Sequence, residues 1–393
     1  MRLEAITGLE EIARHGDEID RFINAEDVDS SVYHQSAYLI TFLENMASPK
    51  GWRLLLFYDA GKLTGLVALF VNNAHLELRL GLYALVKVTV KKLQFVGHAV
   101  AHRKNADLKL IYRQLNNYLV NEGPSFDLGV IEEIEIDNYM FEAFSSRRGN
   151  NLVLDTIAKR NEVIRYLDFP PSWDVYLASM SKKTRYNLKR AVRIFSETFD
   201  SRVRLEKFVT PEEVEYFLRA KDEIYADTWQ ARTLPDFPGR KTWGIRENSA
   251  LAQTGCFKSY VLYGDGEPIA YIRGYQHKRF YYFEEIGYKQ RWAGISPGTV
   301  LNYMFLNELM AETEAPHRLS FGYGENKYKQ IFGNGKAEAN QAYLYRHDSR
   351  IRYLLAIQRQ LDALYRLLKD VFTGLKMDAY LRRMLKGKKS QSQ

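Results

Sequence analysis

At 393 residues the chain has room for two domains of ordinary size, and 46% hydrophobic with 26% charged content excludes a disordered chain. Its one cysteine, Cys256, excludes an intrachain disulfide and argues against a cysteine-held metal cluster. The net charge of +8 sits almost wholly at the end: Asp348–Gln393 holds 11 Lys+Arg against 4 Asp, or +7, leaving 45 against 44, or +1, for the rest. MRLEAITGLEEI has no apolar run after a basic start, and no apolar stretch of about 18 residues follows anywhere, so neither a signal peptide nor a spanning helix is expected. The expected location is cytoplasmic.

In chain order, a helix-like segment at Tyr38–Asn45 precedes LLLFYDAGKLTGLVALFV (54–71). That stretch reads as a hairpin whose turn is Asp59-Ala60-Gly61. Further on, Phe95-Val-Gly97-His-Ala is a glycine turn with no Pro-Gly helix start behind it. His98 and His102 have the spacing of a helical metal pair but lie in loop-like sequence, so no metal site is expected.

The next distinctive segment is WDVYLASMSKKTRYNLKRAVR (173–193). Ser181 is a candidate N-cap, and Lys182, Lys183, Arg185, Lys189, Arg190 and Arg193 follow without an intervening acid. This is either a solvated helix face or a patch for phosphate, acidic sugar or RNA, in which Lys182, Arg185 and Tyr186 are the candidate contacts. A helix at Pro211–Tyr225 then precedes a second hairpin, YVLYGDGEPIAYIRGY (260–275), turning at Asp265-Gly266. Between them, Trp229 and Arg232 are candidates for the wall of an acceptor pocket. Cys256, just before the second hairpin, reads as a packing residue. Two such hairpins about 200 residues apart, each after a helix, suggest two copies of one α/β module, at 1–165 and 166–346.

The richest stretch is Tyr281–Gly333, which runs strand, loop, helix, strand and second glycine loop. Its first loop holds Arg291-x-x-Gly294-Ile295-Ser296, and Pro297-Gly298-Thr299 opens the helix. A helix start offers unpaired N–H groups and partial positive charge, and glycines let a phosphate approach them. The tail at 347–393 places Leu354, Ile357, Leu361, Leu364 and Leu368 on one helical stripe. That pattern fits a helix docked on the body or a basic amphipathic helix drawn to anionic membrane.

The segments WDVYLASMSKKTRYNLKRA, YKQRWAGISPGTVLNYMFLNEL and FGYGENKYKQIFG resemble, in this order, the GNAT acetyltransferases of the BioF2-like and cellulose-biosynthesis (CelD/BcsL) type, relatives of the FemAB peptidyltransferases. The likeness spans about residues 30–346. It implies two tandem GNAT-like modules, each a mixed, mostly antiparallel sheet flanked by helices, followed by a basic helical tail. It further implies that Arg291, Gly294, Ile295, Ser296, Gly298 and Thr299 hold the pyrophosphate of acetyl-CoA or another acyl-CoA, with Ser296 in place of the family's last Gly/Ala. No metal is implied. Where the family has an Asp before the second glycine loop, this chain has Ser320.

Direct transfer to an amine needs a base, a polarised carbonyl and a protonated leaving thiolate. Glu284 and Glu285 are the candidate bases, and strand alternation sends them to opposite faces, so only one meets the site. Burial would raise that one's pKa. Tyr328 is the family-implied proton donor. The implied acceptor is the amine of a small molecule, sugar, peptide or lipid connected with the envelope or an exopolysaccharide. Two other readings stay open: a FemAB-like transferase using aminoacyl-tRNA, with the basic helix contacting the nucleic acid, and a GNAT-fold scaffold without catalysis.

Overall fold

The structure is a computed structural model and describes residues 1–45, 51–81, 83–97, 100–134, 138–145, 152–156, 162–228, 231, 244–324 and 326–374. Both hairpins form with two-residue turns. Ala60 and Gly61 have φ of 47° and 79°, and Asp265 and Gly266 have φ of 50° and 78°, the paired positive values that match strand twist in a tight hairpin.

The internal repeat is more complete than the hairpins alone suggest. Among the described residues the first copy runs Arg2–Ile6 (strand), Leu9–Asn24 and Ser36–Glu44 (helices), then the strands Arg53–Asp59, Lys62–Leu80 and Tyr83–Phe95. It continues with helix Leu108–Asn121, strand Leu128–Ile134, helix Asn138–Ser145 and strand Leu152–Thr156. The second copy repeats that order: Val203–Phe208, Pro211–Ala226, Ile245–Gln253, Ser259–Gly264, Glu267–His277 and Phe280–Tyr288. Pro297–Ala311, Arg318–Tyr323, Lys327–Phe332 and Gly335–Arg346 complete it. Pairing repeats as well. In each copy the first strand runs antiparallel to the first hairpin strand, as Leu3 beside Phe57 and Leu205 beside Leu262. Each also has one parallel pair, Leu93 beside Gly129 and Tyr281 beside Leu319. Two mixed, mostly antiparallel modules of one design are present, as expected.

By packing, the chain divides into two compact units that interleave along the sequence: 1–68, 96–107 and 161–339 in one, 69–95, 108–160 and 340–393 in the other. Within the first module, residues 1–68 and 96–107 therefore pack with the second module, while 69–95 and 108–160 pack with 340–393.

In the first unit the strand order is Glu162–Asp168, Arg318–Tyr323, Phe280–Tyr288, Glu267–His277, Ser259–Gly264, Val203–Phe208. On one face, helix Pro297–Ala311 lays Val300, Leu301, Phe305, Leu306 and Leu309 on Tyr260, Leu262, Ile272, Tyr281 and Phe283. On the other, helix Pro211–Ala226 lays Val214, Phe217 and Ile224 on Val261, Tyr271, Tyr275 and Tyr282. Each buried Leu, Ile or Phe of these layers stabilises the fold by about 1.5–3 kcal/mol over leaving it exposed. Helix Pro211–Ala226 opens with proline, and Glu213 accepts from the Val209 and Thr210 amides at 2.7 and 2.9 Å, a capping box that fixes its start.

In the second unit, helix Arg350–Gly374 turns Ile351, Leu354 and Leu355 toward Val90, Leu128 and Val130. The stripe expected from sequence is only in part the docked face: Leu354 packs inward and Leu361 is half-buried, while Ile357, Leu364 and Leu368 are exposed, as are Tyr353 and Leu367. The docked face includes the polar Gln358, whose side chain bonds the Arg79 backbone at 2.6 and 2.8 Å, so apolar periodicity located that face only in part. No helix among the described residues is long and apolar enough to cross a membrane.

Candidate active site

Strand Phe280–Tyr288 carries both candidate bases, and a bulge changes their orientation. Its pairing with Glu267–His277 runs Tyr282–Tyr275 and Phe283–Gly274, then skips to Glu285–Arg273, which leaves Glu284 as the extra residue. Phe283 and Ile286 consequently keep the face of helix Pro297–Ala311. Glu284 and Glu285 both emerge on the opposite face, with Tyr271, Tyr275 and Tyr282. The expectation that alternation separates the two glutamates is therefore corrected.

Their environments differ. Glu285 accepts from the Tyr271 hydroxyl at 2.5 Å and from Arg273 Nε at 3.2 Å, and lies 3.5 Å from Lys221 Nζ. Burial pushes its carboxyl up, but Arg273, Lys221 and the Tyr271 hydroxyl outweigh burial and hold it below the ordinary carboxylate range. A carboxylate so held is a poor base. Glu284 is exposed and accepts a short hydrogen bond from the Tyr33 hydroxyl. Burial, then the charge of Glu284, keep the Tyr33 phenol well above its ordinary value, so it remains a donor at neutral pH.

Side chains far away in sequence complete the cluster. Arg273 Nη1 donates to the Tyr275 hydroxyl at 2.7 Å, which donates to Asn248 Oδ1 at 2.8 Å. Next to Asn248, Glu247 is 3% exposed and accepts from Asn45 Nδ2 at 2.7 Å. Sequence reading missed Tyr33, Arg273 and Glu247; an Arg-x-Tyr facing a Glu-Glu on the next strand was the signal available for Arg273.

The parallel pairing of Phe280–Tyr288 with Arg318–Tyr323 covers only Phe280–Tyr282 against Arg318–Ser320, and the strands part beyond. Past that point Phe283, Phe321 and Tyr328 lie with ring centroids 5.3–6.1 Å apart. Tyr328 thus belongs to the face opposite the glutamates, with its phenol pushed up to about 12 by burial, loaded with a proton at neutral pH. Ser320 Oγ receives the Gly322 amide at 3.2 Å and shapes the second glycine loop.

The first loop forms as expected at a helix start, with differences of detail. Gln290–Ile295 is a 3-10 turn, and Ser296 adopts the left-handed conformation at φ 56° before Pro297. The Ser296 side chain makes no capping bond; its carbonyl takes the Thr299 and Val300 amides at 3.0 and 3.2 Å. The Gly298 amide has no hydrogen bond among the described residues. A side chain at Gly294 would meet nothing within 4 Å, so backbone is open there to a ligand.

Arg291, however, is occupied. Its guanidinium makes a short ion pair with Glu267 Oε1, an oxygen shared with Lys289 Nζ at 2.7 Å and Trp292 Nε1 at 3.4 Å. Its amide donates to Asp227 Oδ2 at 3.3 Å. The backbone here fits a phosphate; Arg291 joins it only by leaving Glu267.

The basic helix forms as Lys182–Thr198, capped by Ser181 Oγ accepting the Thr184 amide at 3.1 Å. Lys182 and Tyr186 are exposed, Tyr186 at 67%. Arg185 is not free to face a substrate: Nη1 donates to the Ala178 and Met180 carbonyls at 3.1 and 2.5 Å, closing the end of helix Trp173–Ser179. Trp229 and Arg232 lie outside the described residues. Cys256 is 4% exposed in the core beside Phe257. His98 also lies outside the described residues, and among those described no group of His, Cys, Asp or Glu could hold a metal.

Comparison with known proteins bears on this site. Residues 182–330 match the family model described as "Acetyltransferase (GNAT) domain". No curated protein matches by sequence. Among solved structures the chain is similar to FemX, with TM-score 0.57 and 11% identity over 91% of this chain and 100% of that one. A conserved protein of unknown function from Bacteroides thetaiotaomicron gives TM-score 0.52 and 12% identity over 88% and 100% of the two chains. The C-terminal domain of a putative lysylphosphatidylglycerol synthetase from Agrobacterium fabrum gives 0.50 and 11% over 89% and 95%. At such identities the structures speak to fold. The matched segment contains both the loop and the glutamate strand, so it is residues 182–330 that resemble a GNAT acetyltransferase domain.

Proposed function

We propose that this protein transfers an acyl group from acyl-CoA to an amine, with Glu284 as general base and Tyr328 as proton donor. The amine nitrogen attacks the thioester carbonyl carbon, a C–N bond forms and the C–S bond breaks. The amine's proton goes to the Glu284 carboxylate, and the leaving thiolate takes the proton of Tyr328. Gly294, Ile295, Ser296, Gly298 and Thr299 would hold the phosphates by backbone, with Arg291 released from Glu267.

The parting of the two parallel strands after Tyr282 and Ser320 carries this reading. We read it as an opening in the sheet beside Glu284, where a thioester would meet Glu284 from one face and Tyr328, packed on Phe283 and Phe321, from the other. Glu285 serves instead to hold Arg273 and Lys221. The base is left exposed, with a hydroxyl donor to orient it.

Within the same proposal, the chain is of the BioF2-like or CelD/BcsL type and acts at the cytoplasmic side on an envelope or exopolysaccharide acceptor. The modules are 1–165 and 166–346, the first shaping the acceptor side, and the tail from 347 rests on anionic membrane. The exposed Tyr353, Ile357, Leu364, Leu367 and Leu368 support that last point.

The FemAB-like reading is favoured by one observation: Glu267 already fills the place of a phosphate on Arg291. The exposed Lys182, Lys183, Lys189 and Arg190 would then meet tRNA. Calorimetry with acetyl-CoA, a longer acyl-CoA and free CoA decides. Binding of any of them supports the first reading, and no heat at millimolar ligand removes it.

A further inference from the structure

The hairpin that leads into the glutamate strand turns at Lys278-Arg279, with His277 opposite Phe280. Lys278 sits there at φ 53°, in the left-handed region that glycine enters freely and lysine seldom. The turn is fixed on its other side, where the Arg279 carbonyl accepts the His317 and Arg318 amides at 2.7 and 3.2 Å. Such a backbone conformation persists where its surroundings impose it.

The Lys278 side chain supplies the reason. Its ammonium donates to the Ala25 carbonyl at 2.8 Å, the Val28 carbonyl at 2.7 Å and Ser30 Oγ at 3.1 Å. All three protons thus go to uncharged oxygens of residues 25–30. Ala25 caps the C-terminus of helix Leu9–Asn24, where open carbonyls and the helix dipole favour a cation. His277 adds a second fastening. Ser30 Oγ donates to the Ile23 carbonyl at 2.9 Å and so accepts from His277 Nε2 at 3.1 Å, which leaves Nδ1 to accept from Gln35 Nε2 at 3.4 Å. Tyr33 lies between these two held points, Ser30 and Gln35, on the 3-10 turn Val32–His34, and its hydroxyl reaches Glu284.

We propose that Lys278 is a positioning residue for the candidate base: it fastens residues 25–30 to the head of the glutamate strand and so sets Tyr33 against Glu284. The role in catalysis rests on the reading of Glu284 as general base; the fastening does not. Strand and segment are held as one piece, so the hydroxyl that orients the base is placed by a side chain outside the site. Three donors on a long stem match three acceptors of fixed position. Glycine, which this φ favours, would relax the turn and lose the hold.

The test is NMR of the full chain with tyrosine carrying carbon-13 at Cζ, whose shift reports the hydrogen bond of the hydroxyl. The Tyr33 signal, one of 27, is assigned by its absence in Tyr33→Phe, and Glu284→Gln marks where it falls once the carboxylate is gone. Lys278→Met keeps the stem and removes the donors. Lys278→Gly removes them while relieving the turn, which guards against loss of the fold. In both, the Tyr33 signal should move at least halfway toward its Glu284→Gln position. A signal that stays at its wild-type position in either folded variant overturns the proposal. The signal needs no ligand, so calorimetry with acetyl-CoA on the same sample judges the acyl-CoA reading separately. No heat together with a moved signal removes that reading and leaves Lys278 as the residue that places Tyr33.

Discussion

The Tyr33 hydroxyl donates to the carboxylate of Glu284, 251 positions later in the chain. That bond joins the N-terminal segment to the strand carrying both candidate bases, and it goes to the glutamate not taken up by Arg273 and Lys221. The two glutamates should therefore separate in mutagenesis. Glu284→Gln should lower kcat by about 10²–10⁴-fold with the fold intact. Glu285→Gln leaves Arg273 and Lys221 without their carboxylate and should cost about 2 kcal/mol in denaturant unfolding, less than a wholly buried pair because its side chain keeps 26% exposure. Equal kcat losses with unchanged stability in both variants would contradict this division.

Acid stability should report a different group. His277 is 3% exposed, bonded to Ser30 Oγ at 3.1 Å and within 3.4 Å of Gln35 Nε2. Burial, with neighbouring Lys278 adding to it, pulls its imidazole from 6.5 down to about 4. Between those values the unfolded chain binds a proton that the native state does not. Stability is therefore full above pH 6.5 and declines as pH falls toward 4, by about 3 kcal/mol in total at 1.36 kcal/mol per unit. Urea unfolding between pH 7 and 4 should show that slope, and His277→Gln should flatten it.

Arg185 was read as a substrate contact and closes a helix end instead. Arg185→Ala should cost about 1 kcal/mol by releasing the Ala178 and Met180 carbonyls, with no change in the affinity for anions. Lys182→Ala should do the reverse: no loss of stability, since Lys182 is exposed and ion-paired with nothing among the described residues. Thermal unfolding and heparin retention distinguish them.

What was legible in the sequence was local. The Asp-Gly and Ala-Gly turns, the Ser181 cap and the Pro297 helix start are each specified by residues within a few positions, and each formed as read. The bulge at Glu284 was not legible, because pairing with the neighbouring strand sets it. At the same place Tyr281 crosses over Gly274, where a Cβ would come within 2.2 Å of its hydroxyl. Tyr33 was invisible for a stronger reason: no periodicity connects residues 251 positions apart. The docked face of the tail helix was legible only in part, because Gln358, a polar residue, faces inward to satisfy the Arg79 backbone.

Ser296 offers a test of the loop by itself. A non-glycine residue at φ 56° costs roughly 1 kcal/mol, and here no side-chain capping bond offsets it. Ser296→Gly should therefore raise stability by about 0.5–1 kcal/mol, to be read as a shift of the urea midpoint at constant m-value. Its amide donates to Ala293 in either case, so phosphate affinity should hold or improve.

The sharpest test of donor chemistry is Glu267. Its Oε1 takes Arg291, Lys289 and Trp292 together, and these donors, working against burial, hold its carboxyl below the ordinary range. It is thus a fixed anion beside the Gly294–Gly298 backbone, and a pyrophosphate must compete with it for Arg291. Glu267→Gln keeps the shape and removes the charge. If the loop binds acyl-CoA, calorimetry should show free CoA binding about tenfold more tightly in Glu267→Gln and about tenfold more weakly in Arg291→Ala. Lys289, 4% exposed at its side chain, keeps Glu223 as partner at 2.5 Å, so the strand end should survive the change. If CoA affinity is the same in wild type and both variants, Arg291 belongs to the ion-pair network alone, and the aminoacyl-transferase reading takes precedence.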